Sequence, residues 1–145
     1  MWKHILTIMI FLLTASCASK EVTTVPSLGA HFPQTNNQIG NTDSLVRGEL
    51  VLDNGCLRVN GANTLMGDSF LLIWNSTFST RTEQEVVQVI DSSTGEVLAS
   101  VGDYVEVGGG IAPIGIEESL KEPIPSECPR PYWLVGESVK KVNQP

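Results

Sequence analysis

The side chains of this 145-residue chain that could do chemistry are few. Asp68, Asp103 and Glu106 are carboxylates near large aromatics, and a pair of them could serve as acid and base in hydrolysis of a glycosidic bond. A domain this small rarely builds the cleft that such chemistry needs. Nucleophilic catalysis needs a base beside Ser or Cys. The only histidines are His4 and His31, both in the N-terminal quarter, and His31 sits among polar and Pro residues where it is expected to be solvated. Zinc needs clustered Cys and His, which this sequence lacks, so no metal and no cofactor is predicted.

Two short patterns imitate known sites without meeting their requirements. Gly108-Gly109-Gly110 runs into Ile111-Ala112-Pro113 without the Gly-Lys-Ser/Thr of a phosphate loop, and reads as a strand exit. Asp91-x-Ser93-x-Gly95-Glu96 places oxygens at alternate positions but lacks the distal bidentate Glu of a calcium loop. A hairpin turn explains it better. The large amphipathic aromatics Trp74, Tyr104, Tyr132 and Trp133 leave a real choice. Facing solvent together they would form a platform for glycan or peptide, and facing inward they would be core, which strand positions favour.

The elements that must position these residues begin after an export segment. Ile5 to Leu13 is apolar except for Thr7 and follows Lys3. As a helix it would rise only about 14 Å, against about 30 Å of bilayer hydrocarbon, so it cannot span. With Ala15 and Ser16 at the cut it matches a cleaved export signal. Leu13-Thr14-Ala15-Ser16-Cys17 resembles the lipobox of bacterial lipoproteins, although Thr14 stands where Leu is usual. The resemblance implies removal of residues 1–16 and lipidation of Cys17. The protein would then sit in the cell envelope on the extracytoplasmic side, on the outer membrane where the cell has one. Ordinary secretion, with cleavage after Ala18, is the competing reading.

Without Lys3, the 9 Lys plus Arg become 8 against 16 Asp plus Glu, a net charge of −8. So acidic a chain offers no clustered cations for nucleic acid and no basic patch for a membrane surface. The predicted membrane contact is the lipid alone, and two acyl chains already suffice for stable anchoring. Residues 17–45 are then the lipidated Cys and a tether. The stretch from Cys17 is rich in Thr, Ser, Asn, Gln, Gly and Pro, and its few apolar residues show no period. As a coil it would reach about 30 Å from the anchor.

From Val46 to Val142 the chain reads as one β domain of seven or eight short strands. Arg47 to Leu52 alternates, Asp53-Asn54-Gly55 is a hairpin turn, and Cys56 to Val59 returns. Ser69 to Trp74 is nearly unbroken and apolar, as a central strand covered on both faces would be. Glu85 to Ile90 and Glu96 to Val101 flank the turn Asp91 to Gly95. Gly102-Asp103 marks a bend into Tyr104 to Val107, as at a barrel corner. Tyr132 to Val135 and Ser138 to Val142 are expected to pair around Gly136-Glu137, and Glu117 to Lys121 is the best helical candidate. So many short strands must manage their edges. A small, partly open barrel of OB or SH3-like type is expected, with a sandwich as the alternative.

With Cys17 committed to lipid, Cys56 and Cys128 remain as a pair in an oxidising compartment. A disulfide would close a loop worth about 4 kcal/mol in the chain-entropy model. It would pin the Pro-rich stretch Pro123 to Pro131 to the first hairpin. Cys56-Leu57-Arg58, Leu71 to Trp74, Val101 to Val105 with the triple glycine, and Cys128 with Pro131 to Gly136 together resemble a small extracytoplasmic bacterial domain to which no activity attaches. The resemblance covers about Gly48 to Val139 and implies a fold without a chemistry. The function expected is a non-enzymatic, lipid-anchored binding or assembly module, with an envelope protein or a glycan as partner. The alternative is a carboxylate-based hydrolase of cell-wall material.

Overall fold

The computed structural model describes residues 29–36, 43–64 and 67–145. The export segment, Cys17 and residues 18–28 and 37–42 of the expected tether lie outside the described residues. From Ser44 onward the fold is almost entirely β. The strands are β1 (Ser44–Asp53), β2 (Cys56–Thr64), β3 (Gly67–Ile73), β4 (Phe78–Glu83), β5 (Val86–Asp91), β6 (Val97–Ser100), β7 (Tyr104–Ile111) and β8 (Tyr132–Lys141). The helical candidate is a single 3-10 turn, Ile116–Ser119.

Five strands close a barrel in the order β1-β2-β3-β8-β7, with β7 returning to β1, and the other three form a separate antiparallel sheet. All barrel pairs are antiparallel except β3 and β8. This five-stranded order suits the OB class of small barrels. The barrel is closed where the sequence suggested a partly open one, because β1 is long enough to pair β2 through Glu49–Asp53 and β7 through Ser44–Glu49.

The β1–β2 hairpin turns as its sequence demands, with Asn54 at φ 49° and Gly55 at φ 81°. Both central residues need positive φ in such a turn, which Asn and Gly tolerate. The β4–β5 hairpin makes the same geometry from Gln84 (φ 49°) and Glu85 (φ 65°). Neither residue signals a turn, and β4 is polar, so sequence patterning misses this strand altogether.

Alternation along the strands builds the interior. Val46, Leu50, Leu57, Val59, Phe70, Leu72, Trp74, Val105, Val107, Trp133, Val135 and Val139 are buried in one cluster, which Phe78, Val87, Val89 and Ala99 of the small sheet extend. The other parity of β3 and β8 is equally apolar. Leu71, Ile73, Tyr132 and Leu134 form a second cluster outside the barrel with Ala112, Ile116, Leu120 and the two cysteines. β3 is thus covered on both faces, as its unbroken apolar run requires.

Two expected turns have other roles. Val101-Gly102-Asp103 is not a bend within one strand but the passage from the small sheet into the barrel. It is tied by Gly102 N to Leu50 O (2.7 Å) and Leu50 N to Asp103 O (2.8 Å). Gly136-Glu137 is not a hairpin either, since Tyr132 to Lys141 is one strand pairing β7 on both sides of a register shift. At that shift β7 crosses β8 at close range. A Cβ on Gly109 (φ 148°) would overlap the Leu134 carbonyl oxygen and press on the Trp133 indole, so the middle glycine of the triplet is required there.

Residues 29–36, expected in a tether, instead form a strap bonded across the domain. His31 N donates to Gly55 O (2.6 Å), Trp74 N to Pro33 O (2.9 Å) and Thr35 N to Trp74 O (2.9 Å). Phe32 stacks on Trp74 with ring centroids 4.7 Å apart and planes 17° from parallel. The composition is polar because most of the strap's bonding is backbone to backbone, while Ala30 and the Phe32 ring pack against the core.

Cys56 and Cys128 form a disulfide with Cα atoms 5.6 Å apart, closing a separation of 72 residues. Reducing it should lower unfolding free energy by about 4 kcal/mol, and thiol titration of denatured, unreduced protein should find neither cysteine free. Urea unfolding with and without reductant measures the difference. Phe32→Ala should cost about 2 kcal/mol, below the full core penalty because the ring is partly exposed. An unchanged urea midpoint would mean that the Phe32–Trp74 stack contributes nothing to stability.

Candidate functional site

The four aromatics singled out from the sequence do not share a surface. Trp74 is completely buried under Phe32, and Trp133 is buried edge-on to Phe70 at 5.7 Å. Tyr132 lies beneath the loop that follows β7, where burial raises its pKa and the Arg130 guanidinium sits 4.6 Å above its ring. As ligand-facing residues these three are corrected to core. Strand parity puts the two tryptophans inside the barrel, and the folded-back loop covers the tyrosine. Only Tyr104, opening β7, is partly exposed on the outer wall.

The carboxylates are dispersed as well. Asp68 lies on β3 and Glu106 on β7, strands that are not neighbours in the barrel. Asp103 accepts from Ser100 N at 2.9 Å and pairs with Lys141 Nζ at 2.7 Å. The Glu106 side chain is nearly enclosed between two cations from the flanking strands, since the register places it opposite Arg47 on β1 and Lys140 on β8. Lys140 Nζ is 2.7 Å from Oε1, and the Arg47 guanidinium binds Oε2, with Nε at 2.6 Å. Hydrogen bonds from Lys140 and then Arg47 hold the Glu106 carboxyl below its usual value of 4.5, outweighing partial desolvation. A glycosidase acid needs the opposite shift. Glu106 fastens three adjacent strands.

The other patterns resolve in the same direction. The Asp91 carboxylate accepts from Ser93 N (2.7 Å), Ser93 Oγ (2.5 Å) and Thr94 N (3.0 Å), and the Ser93 bonds chiefly lower its pKa. Its oxygen is spent on the turn. His31 is placed rather than free, with its ring 3.7 Å from Glu127, and the nearby Cys56 is committed to the disulfide. Among the described residues no three His, Cys, Asp or Glu side chains gather as a metal site.

Sequence reasoning assigned no role to Arg58. It is buried, donating from Nε to Ser69 Oγ (2.8 Å), from Nη2 to Ser69 O (3.0 Å) and from Nη1 to Pro129 O (2.9 Å). Burial lowers its pKa, with Asp53 opposing, and a guanidinium keeps its charge at neutral pH regardless. Arg58 pins the Pro-rich loop beside the disulfide. The loop between β7 and β8 thereby covers part of the outer face formed by β2, β3 and β8.

The wall left open is formed by β7, β1 and the second half of β2. Tyr104 lines two shallow depressions there, of about 170 and 340 Å³, and the C-terminal residues line their far sides. No protein-family model, curated protein or solved structure matches this chain.

Glu106→Gln should destabilise the protein in a pH-dependent way. The folded pKa lies below the unfolded value, so the contribution is complete above about pH 4.5 and is lost as pH falls through the depressed value. Urea unfolding of both proteins should show a gap at pH 7 that narrows at pH 3. A gap equal at both pH values would mean that the Glu106 charge adds nothing to stability.

Proposed function

We propose that this chain is a lipid-anchored envelope protein whose barrel is a non-enzymatic binding or assembly module. One observation carries the non-enzymatic part: Asp103, Glu106 and the two described cysteines are occupied in holding the fold, and Asp68 stands on β3, which does not adjoin the β7 of Glu106. Glu106 ties three strands, Asp103 fastens the passage into β7, and Cys56 and Cys128 cross-link hairpin and loop. The anchor rests on Cys17 following a short apolar run and small residues. A disulfide within the domain suits an oxidising compartment outside the cytoplasm.

The reading is tested in the native envelope. The full chain should fractionate with membranes, and Cys17→Ser should move it to the soluble fraction. Photo-crosslinking from positions on the barrel wall should then recover a discrete envelope partner. A Cys17→Ser protein still bound to membranes would remove the anchor. Turnover of peptidoglycan fragments that disappears in Asp103→Asn or Asp68→Asn would replace the binding module with a hydrolase.

A further inference from the structure

The register places Tyr104 directly across from Glu49, and Glu49 across from Asn60, so the three stand in one row on the outer faces of β7, β1 and β2. The chain end closes the row, with Val142 N donating to Tyr104 O at 2.9 Å and Asn143 and Gln144 reaching the two depressions beside the ring. Glu49, Asn143 and Gln144 are exposed, and their side chains make no hydrogen bond or ion pair with other described residues. An aromatic ring with an apolar face is thus bordered by uncommitted amides and a carboxylate.

The charge around this ring is unlike that of the chain as a whole. Among side chains, Arg47, Lys140 and Lys141 stand against Glu49, Asp103 and Glu106, three cations to three anions, in a chain whose side chains sum to a net charge of −7. A balanced wall neither attracts nor repels an ionic ligand strongly. It suits an uncharged one that stacks on the ring and exchanges hydrogen bonds with its rim. From this juxtaposition we infer that the Tyr104 wall is a binding site for a neutral, hydroxyl- and amide-rich saccharide, with one sugar ring stacked on Tyr104 and its neighbours entering the flanking depressions. Glu49 accepts from ligand hydroxyls, and the amides of Asn143 and Gln144 both donate and accept. The affinity expected of so open a site is weak, and repeated units along a polymer would strengthen it. The inference rests on the reading of the barrel as a binding module and names its ligand.

The test is calorimetric titration of the full chain in detergent micelles with the tetramer of β-1,4-linked N-acetylglucosamine. Saturable binding should be nearly independent of salt between about 50 and 500 mM, over which the screening length falls from about 14 Å to about 4 Å. Tyr104→Ala should weaken it roughly tenfold, and Tyr104→Phe should keep it within about threefold, since the stacking face survives. Glu49→Gln and Gln144→Ala, at exposed positions that leave the fold intact, should each weaken it measurably. Absence of saturation overturns the inference. So does binding unaffected by both Tyr104→Ala and Glu49→Gln, or binding of a stem peptide at this wall in place of the sugar. A partner protein crosslinked in the envelope with no response to the tetramer would leave the module standing and remove the saccharide site.

Discussion

A strand whose two faces are both apolar cannot be left against water on either side, and β3 is such a strand. Phe70 and Leu72 point into the barrel, while Leu71 and Ile73 point out of it. Pairing β3 in parallel with β8 doubles the outward apolar strip by adding Tyr132 and Leu134. Covering that strip accounts for much of the remaining chain. The segment between β7 and β8 has to fold back over it, bringing Ala112, Ile116 and Leu120 against the barrel. A long loop held only by a few apolar contacts would lose against its own entropy. The disulfide and the Arg58 bonds fasten it to the barrel, and the Glu117–Arg130 pair joins its two ends to each other. Trp74, just past the end of β3, is in turn sheltered by the strap and its Phe32 ring.

Local rules read the fold well where one residue type has one job. Asn54-Gly55 could hardly be anything but a tight turn, and the unbroken run at Ser69 to Trp74 demanded cover on both sides. The pairing of Cys56 with Cys128 followed from counting. Local rules failed where a residue's role is set from across the molecule. Gly136 looks like a turn and is instead a point of close crossing with Gly109 on the neighbouring strand. Gln84-Glu85 adopts a turn geometry that neither side chain advertises. The strap has the composition of a linker because its contacts are mostly backbone, which composition does not record.

The candidate site was legible only in part. Aromatics could be found by eye, but which of them face solvent depends on strand parity and on the loop packed above. Tyr104 stays on the outer wall because Val105 and Val107 take the inward parity of β7. The carboxylates near it looked available for chemistry because their counter-ions come from other strands. Arg47 lies 59 residues before Glu106, and no local pattern links them.

The strap also decides how the domain takes load. Tension arriving from the N-terminal side enters the fold at residues 29–36, before it reaches β1. It falls first on backbone bonds from the strap to Gly55, Trp74 and Ser119, which belong to three different parts of the molecule. Beside the first of them stands the Cys56–Cys128 crosslink, which a pull cannot slide apart. A tug on the domain is therefore spread over the barrel's rim and its covering loop together, and β1 is shielded from being peeled away one residue at a time.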